Sequence, residues 1–196
     1  MNEPPNVGTA TSLSFGEMRV VGRDEPADEV RALVAAARAG DQPAFERLYG
    51  RFGRMVHGIL LARVPHGQVD DLVQDVFLAA WQRLDSLRDH AAFGGWLAMI
   101  ARNRATDFHR QAIETVALDE DTAGRHASAD ATLDAVRALA AVRALPEAYR
   151  ETLVLRLVEG LTGPEIAEHT GLTAASVRVN LHRGMKLLRE KLGIKR

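Results

Sequence analysis

A predicted helix near the C-terminus carries the side chains best suited to binding a polyanion. An α-helix fits the major groove of duplex DNA, where arginine can form two hydrogen bonds with guanine and lysine can neutralise a phosphate. From Ala175 to the C-terminus the chain has 7 Lys and Arg residues and 1 acidic residue, although its overall net charge is −1. This local excess of positive charge indicates contact with a polyanion. The outward-facing positions of the helix are Ser176, Arg178, Val179, His182, Arg183 and Lys186.

The residues that precede this helix have the spacing of a helix-turn-helix motif. The segment Thr162-Gly-Pro-Glu165 fits a capping box, in which the threonine oxygen accepts from an early helix N–H and the glutamate reaches back to the cap. Gly171 supplies a turn residue with positive φ, and Thr173 can cap the following helix. This order favours a helix-turn-helix, although spacing alone also fits a helical hairpin with a basic, solvated face. The predicted buried stripe of the longer helix is Val177, Leu181, Met185 and Leu188.

A second candidate nucleic-acid surface lies on a predicted helix over residues 93–110. Its sequence, FGGWLAMIARNRATDFHR, mixes basic, amide and aromatic side chains. This mixture suits single-stranded nucleic acid, because rings stack on bases while arginines follow the phosphates. Core packing competes with this role for Phe93 and Trp96, and we favour it for Trp96. Asp107 can form an intrahelical ion pair with Arg104 or Arg110.

The helix before it has an outer side that is acidic and amide-rich and includes one leucine. An outward leucine among such residues indicates a partner surface, and a plain surface helix with one exposed leucine fits equally well. We expect Asp70 to cap this helix and its inner face to hold apolar residues such as Phe77 and Trp81. The outer positions are Asp71, Gln74, Asp75, Leu78, Gln82 and Arg83.

Apolar periodicity along the chain predicts an all-α fold, with two small helical domains joined by a flexible linker. Repeats at i, i+3, i+4 and i+7 give four helices over 28–110, with Asp41 and Pro43 starting the second and the fourth running from about Ala92 to Arg110. Residues 1–27 have no sustained period and are predicted to be a disordered leader. The acidic segment 111–130 is the predicted linker, Asp130 can cap the next helix, and the second domain spans 131–196.

Composition argues against several classes of protein. The chain has no cysteine, and its 7 histidines show no His-Glu-x-x-His spacing. No Gly-rich phosphate loop, nucleophile–base pair or metal cluster is visible, so we expect no enzyme activity, no metal and no cofactor. No apolar run approaches the ~20 residues that span a membrane, and the N-terminus lacks the pattern of a secretory signal. We therefore expect a cytoplasmic protein.

Taken together, these segments resemble the small alternative sigma factors of bacterial RNA polymerase, the extracytoplasmic-function group. The segment DDLVQDVFLAAWQRLDSL is similar to the helix that docks on the coiled coil of the polymerase β′ subunit. The segment over 93–110 is similar to the one that melts and reads the minus-10 element. The stretch LPEAYRETLVLRLVEGLTGPEIAEHTGLTAASVRVNLHRGMKLLREKL is similar to the domain that reads the minus-35 element. The resemblance covers about 28–110 and 131–192.

The resemblance implies a non-catalytic subunit that directs core polymerase to promoters and assists melting. The outer face of the 70–83 helix would meet the β′ coiled coil, the second domain would meet the β flap, and the linker would thread towards the RNA exit path. DNA would be bound both as duplex and as the melted non-template strand, and an anti-sigma factor would hold the chain inactive. The turn 86–93 would capture a flipped base, whose extrusion costs a few kcal/mol. The implied minus-10 residues are Ser86, Leu87, Arg88, Asp89, His90, Phe93, Arg102, Asn103, Arg104, His109 and Arg110. The implied minus-35 residues are Thr173, Ser176, Arg178, Val179, His182, Arg183 and Lys186.

Two other functions fit parts of the pattern. A self-sufficient helix-turn-helix regulator would bind duplex DNA without polymerase, usually as a dimer, but no dimerisation heptad is visible. A helical adaptor would keep the polymerase-docking surface without initiating transcription, but the basic face from Arg178 to Lys186 argues against it.

Overall fold

The computed structural model describes residues 25–116 and 131–193 of the chain. Within these ranges the protein is helical and contains no strand, which confirms the predicted all-α fold. The predicted leader up to residue 24, most of the predicted linker, and the proposed cap Asp130 lie outside the described residues. The helices are α1 (Glu25–Arg38), α2 (Gln42–Leu61), α3 (Val69–Arg83), α4 (Phe93–Val116), α5 (Ala131–Arg143), α6 (Glu147–Leu157), α7 (Gly163–Thr170) and α8 (Ala174–Lys191), with short 3-10 turns at His66–Gln68, Leu84–Ser86 and His90–Ala92.

The N-terminal domain, α1–α4, packs around an apolar core centred on α2. Asp41 caps this helix as predicted, because its Oδ1 accepts from the N–H of Ala44 at 3.2 Å, and Pro43 occupies the first turn. The apolar repeat of α2 then buries Leu48, Phe52 and Ile59 against the other three helices. The domain thus presents the outer faces of α3 and α4 on a fixed support.

Three predicted helix ends differ from the structure. α3 begins at Val69 with Gln68 as its N-cap, so Asp70 is not the cap. Asp70 lies in the first turn instead, where its carboxylate still interacts favourably with the helix dipole. α1 begins at Glu25, inside the predicted leader, because Pro26 is tolerated in a first turn. α4 runs on to Val116, since the residues after Arg110 contain no helix breaker.

The C-terminal domain, α5–α8, contains the predicted helix-turn-helix in α7 and α8. Both hydrogen bonds of the capping box at Thr162 are formed, and Gly171 has a φ of 75°. Of the predicted stripe on α8, Val177 and Leu188 are buried, whereas Leu181 and Met185 are half-buried. Gly184, which the sequence analysis did not single out, is buried as well. A Cβ there would lie 3.0 Å from Leu153 Cδ1, so this glycine allows α8 to approach α6 closely.

The two domains pack against each other, with α6 and α7 lying on α2 and α4. Two glycines permit this approach: a Cβ on Gly58 would lie 2.7 Å from Leu155 Cδ2, and one on Gly94 would lie 2.7 Å from the His169 carbonyl oxygen. This packing is called the closed arrangement below. A flexible linker did not indicate it.

Arg143 of α5 adds a polar contact across the domain boundary. Its Nη2 donates to the Leu61 carbonyl at 2.8 Å and to the Val64 carbonyl at 2.7 Å, and its Nε donates to Leu61 at 3.0 Å. These are carbonyls at and just beyond the C-terminus of α2, where intrahelical donors run out. One domain therefore supplies the cap for a helix of the other.

Candidate polymerase and nucleic-acid interfaces

The outer face of α3 has the exposure that a protein-binding surface requires. Its inner side chains, including Val76 and Phe77, are buried, and Leu78 is 56% exposed among polar neighbours. A leucine this exposed gains free energy when a partner covers it. The predicted docking residues all lie on this exposed face: Asp71, Gln74, Asp75, Leu78, Gln82 and Arg83.

An aromatic groove, formed by Phe45, Tyr49, Phe77, Leu78 and Trp81, adjoins this face between α2 and α3. It has a volume of about 530 Å³. The ring centroids of Phe45 and Trp81 lie 4.7 Å apart, and those of Tyr49 and Phe77 lie 4.3 Å apart. Tyr49 and Trp81 were predicted to face inward, yet they are 44% and 39% exposed. The sequence signal was available as aromatic residues four positions apart on both helices.

Internal hydrogen bonds shape the loop between α3 and α4. Ser86 Oγ donates to the Arg83 carbonyl at 2.6 Å, and Asp89 Oδ1 accepts from the N–H of Ala91 at 3.0 Å. His90 is half-buried, with its Nε2 2.9 Å from Arg38 Nη1. The members of the predicted minus-10 set that this loop exposes are Ser86, Arg88 and Asp89.

Leu87 and Phe93, also in the predicted minus-10 set, do not reach the surface. Phe93 is fully buried, and its ring centroid lies 5.2 Å from that of Phe52 and 5.8 Å from that of Trp96. Leu87 is 6% exposed. Their apolar side chains are therefore placed in the core, where they support the loop, and the sequence prediction of a DNA-facing position is corrected for both. Trp96 is half-buried, in line with the packing role favoured for it.

The outer side of α4 presents most of the remaining predicted minus-10 residues. Asn103, His109 and Arg110 are exposed and Arg104 is half-buried. Arg110 Nη2 pairs with Asp107 Oδ1 at 3.0 Å, which is one of the two predicted alternatives. This face carries both charge and hydrogen-bonding groups.

Arg102 differs from its neighbours because its guanidinium is bound by the other domain. Its Nη2 and Nε bond both oxygens of Glu151, at 2.7 and 3.1 Å. Arg63 Nη2 lies 2.6 Å from the same carboxylate, which is 6% exposed. Burial alone would raise the pKa of Glu151, but the hydrogen bonds and charges of the two arginines hold that pKa below its usual range. The carboxylate therefore stays ionised, and sequence reasoning missed it.

The outer face of α8 is the third candidate surface. Val177, Gly184 and Leu188 face the rest of the domain, so the basic side chains point away from it. Thr173 caps the helix, because its Oγ1 accepts from the N–H of Ser176 at 3.1 Å. All seven predicted minus-35 residues are exposed: Thr173, Ser176, Arg178, Val179, His182, Arg183 and Lys186.

The described residues hold neither a membrane-spanning helix nor a cluster of metal ligands. No helix in 25–116 or 131–193 is both long and apolar enough to cross a membrane. The same residues contain no group of three or more His, Cys, Asp or Glu side chains suited to a metal ion.

Comparisons with known proteins agree with this arrangement. Residues 48–113 match the family Sigma-70 region 2, and residues 135–188 match Sigma-70, region 4. The RNA polymerase sigma factor NccH of Alcaligenes xylosoxydans xylosoxydans is 33% identical over 172 residues, covering 82% of this chain and 91% of NccH. The ECF RNA polymerase sigma-E factor of Escherichia coli (strain K12) is 30% identical over 178 residues, covering 83% and 93% of the two chains.

A solved structure extends the likeness from sequence to fold. CnrH in complex with the cytosolic domain of CnrY matches with a TM-score of 0.61 and 30% identity, covering 86% of this chain and 100% of CnrH. Members of the matched family are transcription initiation factors and not enzymes. The chain belongs to the extracytoplasmic-function group of bacterial RNA polymerase sigma factors.

Proposed function

We propose that this sigma factor docks on core polymerase through α3 and reads a two-part promoter through α4 and α8. One observation carries the proposal: the exposed acidic and amide face of α3 lies within Sigma-70 region 2, and the exposed basic face of α8 lies within region 4. On α3 the docking side chains are Asp71, Gln74, Asp75, Leu78, Gln82 and Arg83. The β flap is the proposed contact of the C-terminal domain.

The DNA contacts divide by the state of the DNA. Exposed polar residues of the loop and of α4 meet the minus-10 element as it melts, with Leu87 and Phe93 supporting the loop from the core. The outer face of α8 enters the major groove of the minus-35 duplex, with Arg183 among the side chains that reach it. Each contact alone is weak, but two contacts held at a fixed spacing on polymerase act at high effective concentration.

The proposed location and regulation follow from these partners. Core polymerase and promoter DNA are in the cytoplasm, so we place the chain there. The relative CnrH was solved in complex with the cytosolic domain of CnrY. By similarity, an anti-sigma factor with a cytosolic domain is the regulator proposed for this chain.

Two substitutions separate docking from promoter reading. Arg183→Ala removes a cation from the DNA face, so minus-35 use should weaken by about 1–3 kcal/mol, the range for one good base contact. Asp75→Ala removes a carboxylate from the docking face and should reduce competition with a second sigma factor for core. Each variant is the control for the other, because each should leave the other activity intact. Arg183→Ala that fails to bind core, or Asp75→Ala that competes normally, would contradict the assignment concerned.

The function itself is tested by transcription from genomic fragments. Purified chain and sigma-free core should produce discrete 5′ ends that share two upstream motifs. Firm binding to core without new transcript starts would instead support the adaptor, and tight duplex binding without any core binding would support the self-sufficient regulator.

A further inference from the structure

One face of α2 carries a row of basic side chains that no assigned surface uses. Arg47, Arg51, Arg54 and His57 recur at intervals of three or four residues, and Arg63 follows just after the helix. Residues at these intervals share one side of a helix. The row faces the C-terminal domain rather than solvent at most of its length.

Glutamates of the C-terminal domain meet this row one by one. Arg51 Nη2 lies 2.8 Å from Glu168 Oε1, and His57 Nδ1 lies 2.6 Å from Glu159 Oε1. Arg54 Nη1 donates to the backbone carbonyl of the same Glu159 at 3.2 Å. The two domains are therefore complementary in charge along α2.

The strongest contact is at the end of the row. Glu151 bonds Arg63 at 2.6 Å and Arg102 at 2.7 Å, and Arg63 also bonds Glu147 at 2.7 Å. The Arg63 side chain is only 10% exposed, so no nucleic acid can reach it while the domains are together. Charge-assisted pairs of this kind, with arginine bonding two carboxylate oxygens, are also how arginine holds phosphate.

We propose that the glutamates Glu147, Glu151, Glu159 and Glu168 are an intramolecular competitor of promoter phosphates. In the closed arrangement they occupy the arginines of α2 and Arg102 of α4. When the domains separate, Arg51, Arg54 and Arg63 join Arg102 in binding the DNA backbone. The inference rests on the proposed function, and it adds three arginines to the DNA-binding surface. By linkage, anything that holds the domains apart, such as core polymerase, raises DNA affinity by the same factor that DNA raises opening.

A reversible disulfide tests whether closure and DNA binding exclude each other. The chain has no cysteine, so a Gly58→Cys/Glu159→Cys pair can only join with itself. The Gly58 Cβ position lies 2.8 Å from Glu159 Cγ, which suits the short Cβ separation of a disulfide. That Cβ also displaces Leu155 Cδ2, but the oxidised and reduced forms share this change.

The readout is binding of the full chain to a fluorescein-labelled duplex of arbitrary sequence at low salt, because phosphate contacts are independent of sequence. Oxidation should weaken binding by about tenfold, and reductant should restore it, since only the open fraction binds through the α2 arginines. Equal affinity in both forms, with the disulfide verified by mass spectrometry, would overturn the proposal. Failure of the disulfide to form would overturn it too, because the closed arrangement would then not exist in solution.

Glu151→Gln tests the competitor in the opposite direction. It should bind the duplex about tenfold more tightly, with a salt dependence steeper by about 0.9 for each additional phosphate that the chain neutralises. Glu29→Gln is the matched control, because Glu29 also pairs with two arginines, Arg47 and Arg51, but within its own domain. An equal rise in affinity in both variants would mean that net charge alone is responsible. Adding Arg63→Gln to Glu151→Gln should remove part of the rise.

Transcription with core polymerase distinguishes the two proposals. If the reduced double-cysteine chain directs no promoter-specific transcription, and neither does the unmodified chain, the proposed function fails. If both direct transcription while oxidation and Glu151→Gln leave duplex binding unchanged, the competitor alone fails.

Discussion

Replacing Gly94 with alanine tests how far the closed arrangement depends on backbone approach. Gly94 lies in the first turn of α4, and a Cβ there would be 2.7 Å from the carbonyl oxygen of His169 and 3.0 Å from Phe52 Cε1. Close carbon–oxygen contacts in proteins lie at about 3.3–3.6 Å, so the alanine falls roughly 0.6 Å short. The carbonyl belongs to backbone and cannot rotate aside, so α4 or α7 must move.

The expected magnitude follows from two opposing effects. Forcing an extra carbon into a packed contact costs about 1–3 kcal/mol, and this cost applies only while the domains are closed. Alanine within a helix is favoured over glycine by about 0.5–1 kcal/mol, and this effect applies in both the closed and the open chain. The closed-to-open equilibrium should therefore shift towards the open form by about 5–150-fold, without loss of helix content.

Small-angle X-ray scattering and far-ultraviolet circular dichroism measure these two quantities separately. The radius of gyration of Gly94→Ala should rise while its helical signal stays constant. Gly95→Ala is the control, since its Cβ would lie 3.6 Å from Gly171 Cα, an ordinary contact distance. If Gly94→Ala is as compact as both Gly95→Ala and the unmodified chain, the domains do not approach through this contact and the reasoning is refuted.

Two further predictions concern α7. Thr162→Ala removes the capping-box threonine and should lower the free energy of unfolding in urea by about 1 kcal/mol, whereas Thr162→Ser should retain most of it; equal midpoints for all three proteins would mean that the cap contributes nothing. His169 Nδ1 is buried with no hydrogen-bond partner among the described residues, and burial lowers the pKa of this histidine. Since its folded pKa lies below the unfolded value of about 6.5, stability should be complete above that value and decline as the pH falls towards the lower folded pKa. His169→Leu should show a smaller decline in thermal midpoint between neutral and mildly acidic pH, and identical pH profiles would contradict the assignment. The charged groups nearest the ring are Arg51, Arg54, Glu165 and Glu168.

Features encoded within one turn of chain were predictable from the sequence. The Asp41 cap, the capping box at Thr162 and the positive φ of Gly171 each depend on residues at most four positions apart. The exposed faces of α3 and α8 were predictable for a similar reason, because periodicity assigns inner and outer sides of a helix that is covered on one side only.

Periodicity fails for α6, and this explains what sequence reasoning missed. Residues 151–155 are buried without interruption, because α8 covers one side of the helix and the N-terminal domain covers another. No amphipathic stripe results, and Glu151 has no local sign of its partners, which lie 49 and 88 positions away at Arg102 and Arg63. Burial of Leu87 and Phe93 has the same origin, since tertiary contacts decide which side of a short loop faces the core.

The guanidinium of Arg143 limits how freely these two domains can be exchanged. Pro65 stands four residues after Leu61 and has no N–H, so the last turn of α2 lacks its usual donor at the Leu61 carbonyl. Arg143 supplies that donor from the other side of the linker. A chimera that joins the first domain to the second domain of a relative would leave this carbonyl without its donor unless the relative also has a guanidinium at the equivalent position. Recombination between such proteins would therefore be expected to keep the α2 terminus and this arginine as one unit of inheritance.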